Sequence, residues 1–209
     1  MAVDQTTTAG TSVTAVAVTA NNLLLEFVGM PGNQPASYDN TVFLWQEPQI
    51  IPYAMPPLAS QAIPINAESG TVDIGNLELV MQPYTAGYAV GPEVTNVCSW
   101  VSIAPDGTVT TTFQTSLQLF SLSAQMVSVQ YETPAGCQPR AYGHWIGFWE
   151  GPSASHIIPP IASVQIAANN SRGNITLEVP NLLSGKACSV GYFMGQKQTT
   201  LAASCTFYL

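Results

Sequence analysis

The side chains that could do chemistry are few, and their spacing does not match a catalytic motif. His144 and His156 are the only histidines; they are twelve residues apart, and neither belongs to an HxH or HExxH pair. Cys137 lies in a Gly-Cys-Gln-Pro turn, and a thiol paired with His144 could act as a nucleophile. An internal repeat described below has Asn33 at this position, so the turn does not need a thiol. We therefore predict no catalytic residue.

No metal or cofactor site is predicted either. The acidic residues are scattered singly, without an Asp-rich calcium loop, and no GxSxG sequence is present. The cysteines lack CxxC spacing, which argues against zinc; they are Cys98, Cys137, Cys188 and Cys205. Four free thiols is the simplest interpretation, and a Cys188–Cys205 disulfide is the alternative in an oxidising compartment.

Aromatic residues of the stretch 142–151, YGHWIGFWEG, offer the best candidate for ligand binding. In a strand, Trp145 and Gly147 point to one face, and Gly147 would leave open space beside the indole. We favour a structural role for Trp145, in which it fills the volume that Phe43 occupies in the other repeat. The alternative is a carbohydrate-type ligand site, whose candidate residues are Trp145, His144, Asn169 and Asn170.

Charge is scarce and unevenly placed. The net charge is −8, from twelve acids and four bases. All the bases follow residue 105; they are Arg140, Arg172, Lys186 and Lys197. Nucleic acid and anionic membranes are poor partners, because both need a basic surface that the sequence lacks, and we predict neither. Residues 1–105 carry eight acids and no base, so a homo-oligomer should pair the first half of one chain with Arg140 and Arg172 of the next.

The chain repeats itself at an offset of 104 residues. Tyr38 corresponds to Tyr142 and Trp45 to Trp149, and the offset falls to 103 for the segments around Ser60 and Gly70. A three-residue insertion near the end is predicted, so that the stretch Cys98-Ser99-Trp100 would match Cys205-Thr206-Phe207. Glycines, prolines and aromatics that match in the same order indicate an internal duplication.

Alternating apolar and polar residues within each repeat indicate strands, as in Val127-Ser128-Val129-Gln130-Tyr131. No segment has the 3.6-residue period of an amphipathic helix. Many short strands separated by Gly, Pro, Asn and Ser favour β-sandwiches. We predict an all-β protein of two tandem immunoglobulin-like β-sandwich domains, residues 1–105 and 106–209.

The second repeat contains the strand WIGFW, a Pro-rich crossing, the segment NITLEVPNLLSGKACSVGYFMG and the closing ASCTFYL. In these features it resembles the SKICH-type immunoglobulin-like domain. It covers residues 110–209, and residues 6–103 only through the repeat. The sequence departs from the family at His144, where the family has Asp. The resemblance implies an interaction module without catalytic residues.

Two functions remain open from the sequence. One is a structural, self-associating protein that forms oligomers or filaments, because low charge removes the repulsion that keeps sheet edges apart. The other is a bivalent, lectin-like carbohydrate-binding protein. No apolar run is long enough for a membrane span. The N-terminal sequence lacks a signal peptide, so we expect a cytoplasmic protein if the chain is native as given and a secreted one if it is a mature form.

Overall fold

The computed structural model describes residues 6–46, 50–180, 182 and 185–208. Within these residues the regular structure is strand, apart from two 3₁₀ turns at Val94–Asn96 and Gln198–Thr200. The first nine strands in chain order are β1 Thr6–Gly10, β2 Ser12–Val18, β3 Leu23–Val28, β4 Thr41–Gln46, β5 Ala59–Ala62, β6 Ser69–Ile74, β7 Tyr84–Ala89, β8 Val97–Ile103 and β9 Val109–Gln114. The others are β10 Ser116–Leu122, β11 Met126–Glu132, β12 Trp145–Glu150, β13 Ala162–Gln165, β14 Arg172–Glu178, β15 Ala187–Phe193 and β16 Leu201–Tyr208. The protein is all-β, as predicted.

The strands form four antiparallel sheets, two with five strands and two with three. The three-stranded sheets have the orders β2-β3-β6 and β10-β11-β14. The five-stranded sheets have the orders β5-β4-β7-β8-β9 and β1-β16-β15-β12-β13. Sheets pack face to face in the manner of a sandwich: Phe27 of β3 stacks on Tyr88 of β7, and Tyr131 of β11 packs on Tyr192 of β15, with ring centroids 5.4 Å apart in both pairs.

Strand register reproduces the predicted offsets. Tyr88 pairs with Val42 and Tyr192 with Ile146, which keeps the offset of 104. The predicted three-residue insertion is wrong, because Ser99 pairs with Tyr88 and Ala203 pairs with Tyr192. The offset of 104 therefore continues into the last strand, and Cys98 corresponds to Ala202, not to Cys205. The similarity of the two Cys-containing triplets is a coincidence of composition.

The main core lies between the sheets and follows the alternation of the sequence. Ile146 and Phe148 of β12, with Val42 and Leu44 of β4, are fully buried in it. The opposite faces of β4 and β12 bury smaller clusters. One is built around Phe43, Trp45 and Trp100, and the other around Trp149 and Phe193. The central strands are thus covered on both faces, which accounts for their aromatic content.

The sheets do not stop at the boundary near residue 105. β1 belongs by sequence to the first half, yet it pairs with β16 at the end of the second. β9 belongs by sequence to the second half and pairs with β8 of the first. Thr11 N–H donates to Ala202 O at 2.9 Å, and its counterpart Thr115 N–H donates to Cys98 O at 2.8 Å. The two halves therefore exchange their first strands reciprocally.

All four cysteines are free and buried. Cys188 lies opposite Phe207 and Cys205 opposite Val190 in the β15–β16 ladder, so the two cysteines are diagonal neighbours. Diagonal positions are about 7–8 Å apart, which is beyond the reach of an unstrained disulfide. The Cys188–Cys205 bridge is therefore absent. In the described part of the chain no helix is long and apolar enough to cross a membrane.

Candidate functional site

The candidate catalytic pair is buried and structural. His144 lies just before β12 with no exposed surface, and its Nδ1 atom is 3.0 Å from the Tyr192 hydroxyl. Burial lowers the pKa of His144 to about 4, so the imidazole is neutral near pH 7. Burial also raises the pKa of the Cys137 thiol to about 11. A thiol that is buried and neutral at pH 7 is poorly suited to act as a nucleophile.

The first half has the same arrangement with different residues. Asn33 and Asn40 stand at the positions of Cys137 and His144, and Tyr88 stands at that of Tyr192. Asn33 Nδ2 donates to Asn40 Oδ1 at 2.9 Å, and the Tyr88 hydroxyl donates to the same oxygen at 2.8 Å. An asparagine pair can therefore satisfy the buried tyrosine as well as His144 does. The equivalence indicates a structural role for both sets.

Reciprocal aromatic contacts join the two halves. Tyr53 packs against Tyr142 with ring centroids 5.6 Å apart. The corresponding contact is His156 against Tyr38 at 5.5 Å. His156 is 4% exposed and its Nδ1 lies 3.3 Å from Thr199 O. The two histidines therefore have different neighbours: Tyr192 for His144, and Tyr38 and Thr199 for His156. Among the described residues, no three His, Cys, Asp or Glu side chains lie close enough to hold a metal.

Trp145 is half-buried and stacks on Phe193, with centroids 3.9 Å apart and planes 4° from parallel. The prediction of open space above Gly147 is wrong. A Cβ placed on Gly147 would lie 2.8 Å from Trp149 Cη2 and 3.0 Å from both Trp145 Cζ3 and Pro160 Cβ. Gly147 has the register position that Phe43 has in the first half, and in the second half the two indoles cover it. One face of Trp145 is therefore structural.

An open groove of about 390 Å³ lies beside Trp145; its lining is Trp145, Pro160, Ser163, Val164, Gln165 and Gln196. The other predicted ligand residues do not line this groove. His144 is inside the core, where a ligand in solution cannot reach it. Asn169 Oδ1 accepts from Ala141 N–H at 3.0 Å, and the Asn170 carbonyl accepts from the Tyr131 hydroxyl at 3.2 Å. The structure therefore does not bring the four predicted residues into one site.

The predicted assembly residues differ in their surroundings. Arg172 is exposed on β14, and its Nε lies 3.9 Å from Glu132 Oε2. Lys186 Nζ lies 3.1 Å from Glu150 Oε2. Arg140 is also exposed, and its main-chain N–H donates to Ala168 O at 3.2 Å. Two of the four bases are thus already close to acids of the same half, and Arg140 is the better candidate for a contact with another chain.

The outermost strands of the sheets are the feature that sequence reasoning did not resolve. Of the eight outermost strands in the described residues, six carry no charged side chain, and these are β1, β2, β5, β9, β10 and β13. Equivalent bulges interrupt β2 at Val16 and β10 at Phe120. Their side chains are 54% and 63% exposed. The low charge of the sequence was a signal for such edges, but their location depends on sheet order.

No family model matches the chain, and no curated protein matches it. Among solved structures, it is similar to a DUF3823 family protein from Bacteroides uniformis, with 11% identity over 88% of each chain and a TM-score of 0.32. It is also similar to a mutant of Salmonella alpha-2-macroglobulin, with 11% identity and a TM-score of 0.27, over 96% of this chain and 16% of that one. Neither likeness is close enough to bear on function.

Proposed function

We propose that this chain is a non-enzymatic structural protein that associates with copies of itself through its sheet edges. The observation that carries the proposal is the absence of charge from six of the eight outermost strands. Monomeric proteins keep their edges apart with charged side chains, prolines or very short strands. An edge without such protection can pair with, or pack against, another chain.

The edges are not equally suited to association. β5 and β13 have four residues each and follow the prolines at 56–57 and 159–160, so they are short and flanked by residues that limit pairing. β2 and β10 have seven residues each and contain no proline. A β-bulge hinders continuous strand pairing at an edge, so a contact here would be packing of side chains: the bulges direct Val16 and Phe120 into solvent. We therefore place the principal contact on β2 and β10, with Phe120 as its largest apolar side chain.

Charge would select the orientation of this association. The described residues of the first half include acids but no base, whereas the second half has an exposed base, Arg140. Contact between the first half of one chain and the second half of the next avoids placing acids against acids. Such a contact is heterologous, and it builds a ring or a filament according to whether the rotation closes. Exposed ion pairs contribute only about 0–1 kcal/mol, so apolar burial must supply most of the affinity.

A lysine substitution at the proposed contact tests the idea. Burial of a phenylalanine side chain contributes roughly 2 kcal/mol, so Phe120→Lys should weaken association by about tenfold or more. Sedimentation velocity over a range of concentrations measures the effect. Thr71→Lys is the matched control, because Thr71 is exposed on β6, an outermost strand that already carries Asp73. Equal assembly of both variants would contradict the proposed contact.

Each half is, in this proposal, an immunoglobulin-like module of the SKICH-type kind, with a division near residue 105. Support comes from the equal offsets of the strand pairings and from the matched stacks of Phe27 on Tyr88 and Tyr131 on Tyr192. Two related modules in one chain give two related surfaces. A filament or a ring needs two contact surfaces on each chain, one for each neighbouring copy.

A second candidate function is carbohydrate binding at the Trp145 groove. Specific support comes from an indole held flat by Phe193, with the amides of Gln165 and Gln196 on the same groove. An aromatic ring on which a sugar can stack, with amides beside it for hydrogen bonds, suits such a ligand. A glycan array comparing the parent protein with Gln165→Ala tests this candidate. Binding unaffected by the substitution, or no binding at all, would exclude the groove.

A further inference from the structure

Strand β1 is held by the half of the protein to which it does not belong in sequence. It continues into β2 through Thr11, and β2 lies in the first-half sheet β2-β3-β6. β1 itself pairs antiparallel with β16, from Thr6 opposite Phe207 to Gly10 opposite Ala203. The described chain is thus anchored in one half and supplies the outermost strand of the other.

The contacts that hold β1 are chiefly main-chain hydrogen bonds. Four of its five residues are exposed, and only Gly10 is partly buried. On the other side of the ladder, Ala203, Cys205 and Phe207 of β16 are fully buried. These side chains face the main core, so what β1 covers on β16 is the row of main-chain groups that would otherwise be unpaired at the sheet edge. β1 itself offers little side-chain burial that would tie it to its own chain.

β9 makes the corresponding exchange, but its connections differ. It follows β8 through the turn at 104–108, where Ala104 N–H donates to Thr108 O at 2.8 Å. It then continues through Thr115 into β10. β9 is thus continuous with strands at both ends, so an exchange of β9 would carry β8 or β10 with it. β1 is followed by β2, and the bend between them is at Gly10 and Thr11, where Gly10 packs closely against Gln114 and Thr115.

We propose that β1 also pairs with β16 of a second copy of the chain, so that copies exchange their first strand. This proposal rests on the self-association proposed above and adds a second contact to it, between β1 and β16, beside the packing of β2 and β10. The ladder between two copies would contain the same hydrogen bonds as the ladder within one chain. Whether β1 pairs with its own β16 or with that of another copy therefore depends on the protein concentration. Pairing within the chain is favoured at low concentration by an effective concentration of roughly millimolar order. Donation to the next copy, repeated along a series, gives an open chain of molecules.

A single introduced cysteine reports which β16 strand holds β1. Thr8 lies opposite the native Cys205, and directly opposite residues have Cβ atoms about 4.5–5.5 Å apart, close enough for a disulfide after small adjustments. Thr8→Cys is purified under reduction, separated into monomeric and assembled fractions, and each fraction is oxidised with diamide. Two S–H bonds break and one S–S bond forms between the two sulfurs, and diamide takes up the two protons and two electrons that are released, which reduces it to the hydrazine.

In the assembled fraction we expect disulfide-linked dimers and a longer ladder on a non-reducing gel, which dithiothreitol collapses to monomer. The monomeric fraction should give the intrachain disulfide. The matched control is Thr112→Cys with Val101→Cys, the equivalent pair on β9 and β8. Because β9 cannot be donated, this control should give intrachain bonds in both fractions.

The outcomes separate this proposal from self-association itself. An assembled Thr8→Cys fraction in which the new thiol is bonded only to Cys205 of its own chain would overturn strand exchange and leave self-association intact. A parent protein without an assembled fraction at any concentration would overturn both. Loss of the ladder in Thr8→Cys with Cys205→Ser is expected; a ladder that persists would show that another thiol forms it, and this would also overturn the assignment.

Discussion

Replacing His144 by asparagine should remove a pH-dependent loss of stability in mild acid. His144 is fully buried, with its Nδ1 atom 3.0 Å from the Tyr192 hydroxyl. Burial lowers its pKa from the ordinary 6.5 to about 4. The folded protein therefore keeps the imidazole neutral through a pH range in which the unfolded chain binds a proton.

The sign and the size follow from this difference. Between pH 6.5 and 4 the unfolded state binds more protons, so lowering the pH favours unfolding. The contribution of neutral, buried His144 to the free energy of unfolding is fully present above about pH 6.5, and it is lost as the pH falls from there through about 4. A shift of this size corresponds to about 3 kcal/mol in total, or up to about 1.4 kcal/mol for each pH unit.

Urea unfolding of the parent protein and His144→Asn at a series of pH values from 7 to 4 measures the effect. Asparagine is the matched choice because Asn40 holds the corresponding Tyr88 hydroxyl in the first half. The carboxylates and His156 titrate in both proteins, so the difference between the two curves isolates His144. We expect the difference in free energy of unfolding between the two proteins to change by about 3 kcal/mol between pH 7 and pH 4. Parallel curves would refute the assigned burial and pKa.

Further outcomes follow from packing. Gly147→Ala should destabilise the protein by about 1–3 kcal/mol, because its Cβ would lie 2.8 Å from Trp149 Cη2; Gly75→Ala, with nothing within 4 Å, should cost little in the same thermal unfolding assay. The thiols should resist alkylation at neutral pH until the protein is unfolded, since all four are buried and burial raises the pKa of Cys98 to about 12. Trp145→Thr should lower acrylamide quenching of the fluorescence, because Trp145 is half-buried; unchanged quenching with a clear loss of stability would assign it to the core.

The sequence was sufficient for the strands and the repeat because both are local signals. Alternation identifies Ile146 and Phe148 as core residues, and Trp45 and Trp149 lie in corresponding strands. Sequence similarity alone could not locate the end of the repeat. Two Cys-containing triplets look alike, whereas the backbone register follows Tyr88 and Tyr192.

The exchange of β1 and β9 could not be predicted from the sequence. A strand that pairs with its own half and one that pairs with the other half have the same alternation and the same turn residues. The burial of His144 was also hidden, because its partner Tyr192 is 48 residues away. The correspondence of His144 with Asn40 was a usable signal: two polar residues at equivalent positions beside a core strand indicate a shared buried hydrogen bond.

The mass of the parent protein in solution tests self-association most directly. Sedimentation velocity or light scattering over increasing concentration should show a mass that rises above that of the 22.1 kDa chain. The rise should persist in high salt, because the proposed contacts are apolar burial and main-chain pairing, and salt would screen only the charges proposed to select the orientation. A protein that stays at the mass of one chain at every concentration would contradict the account.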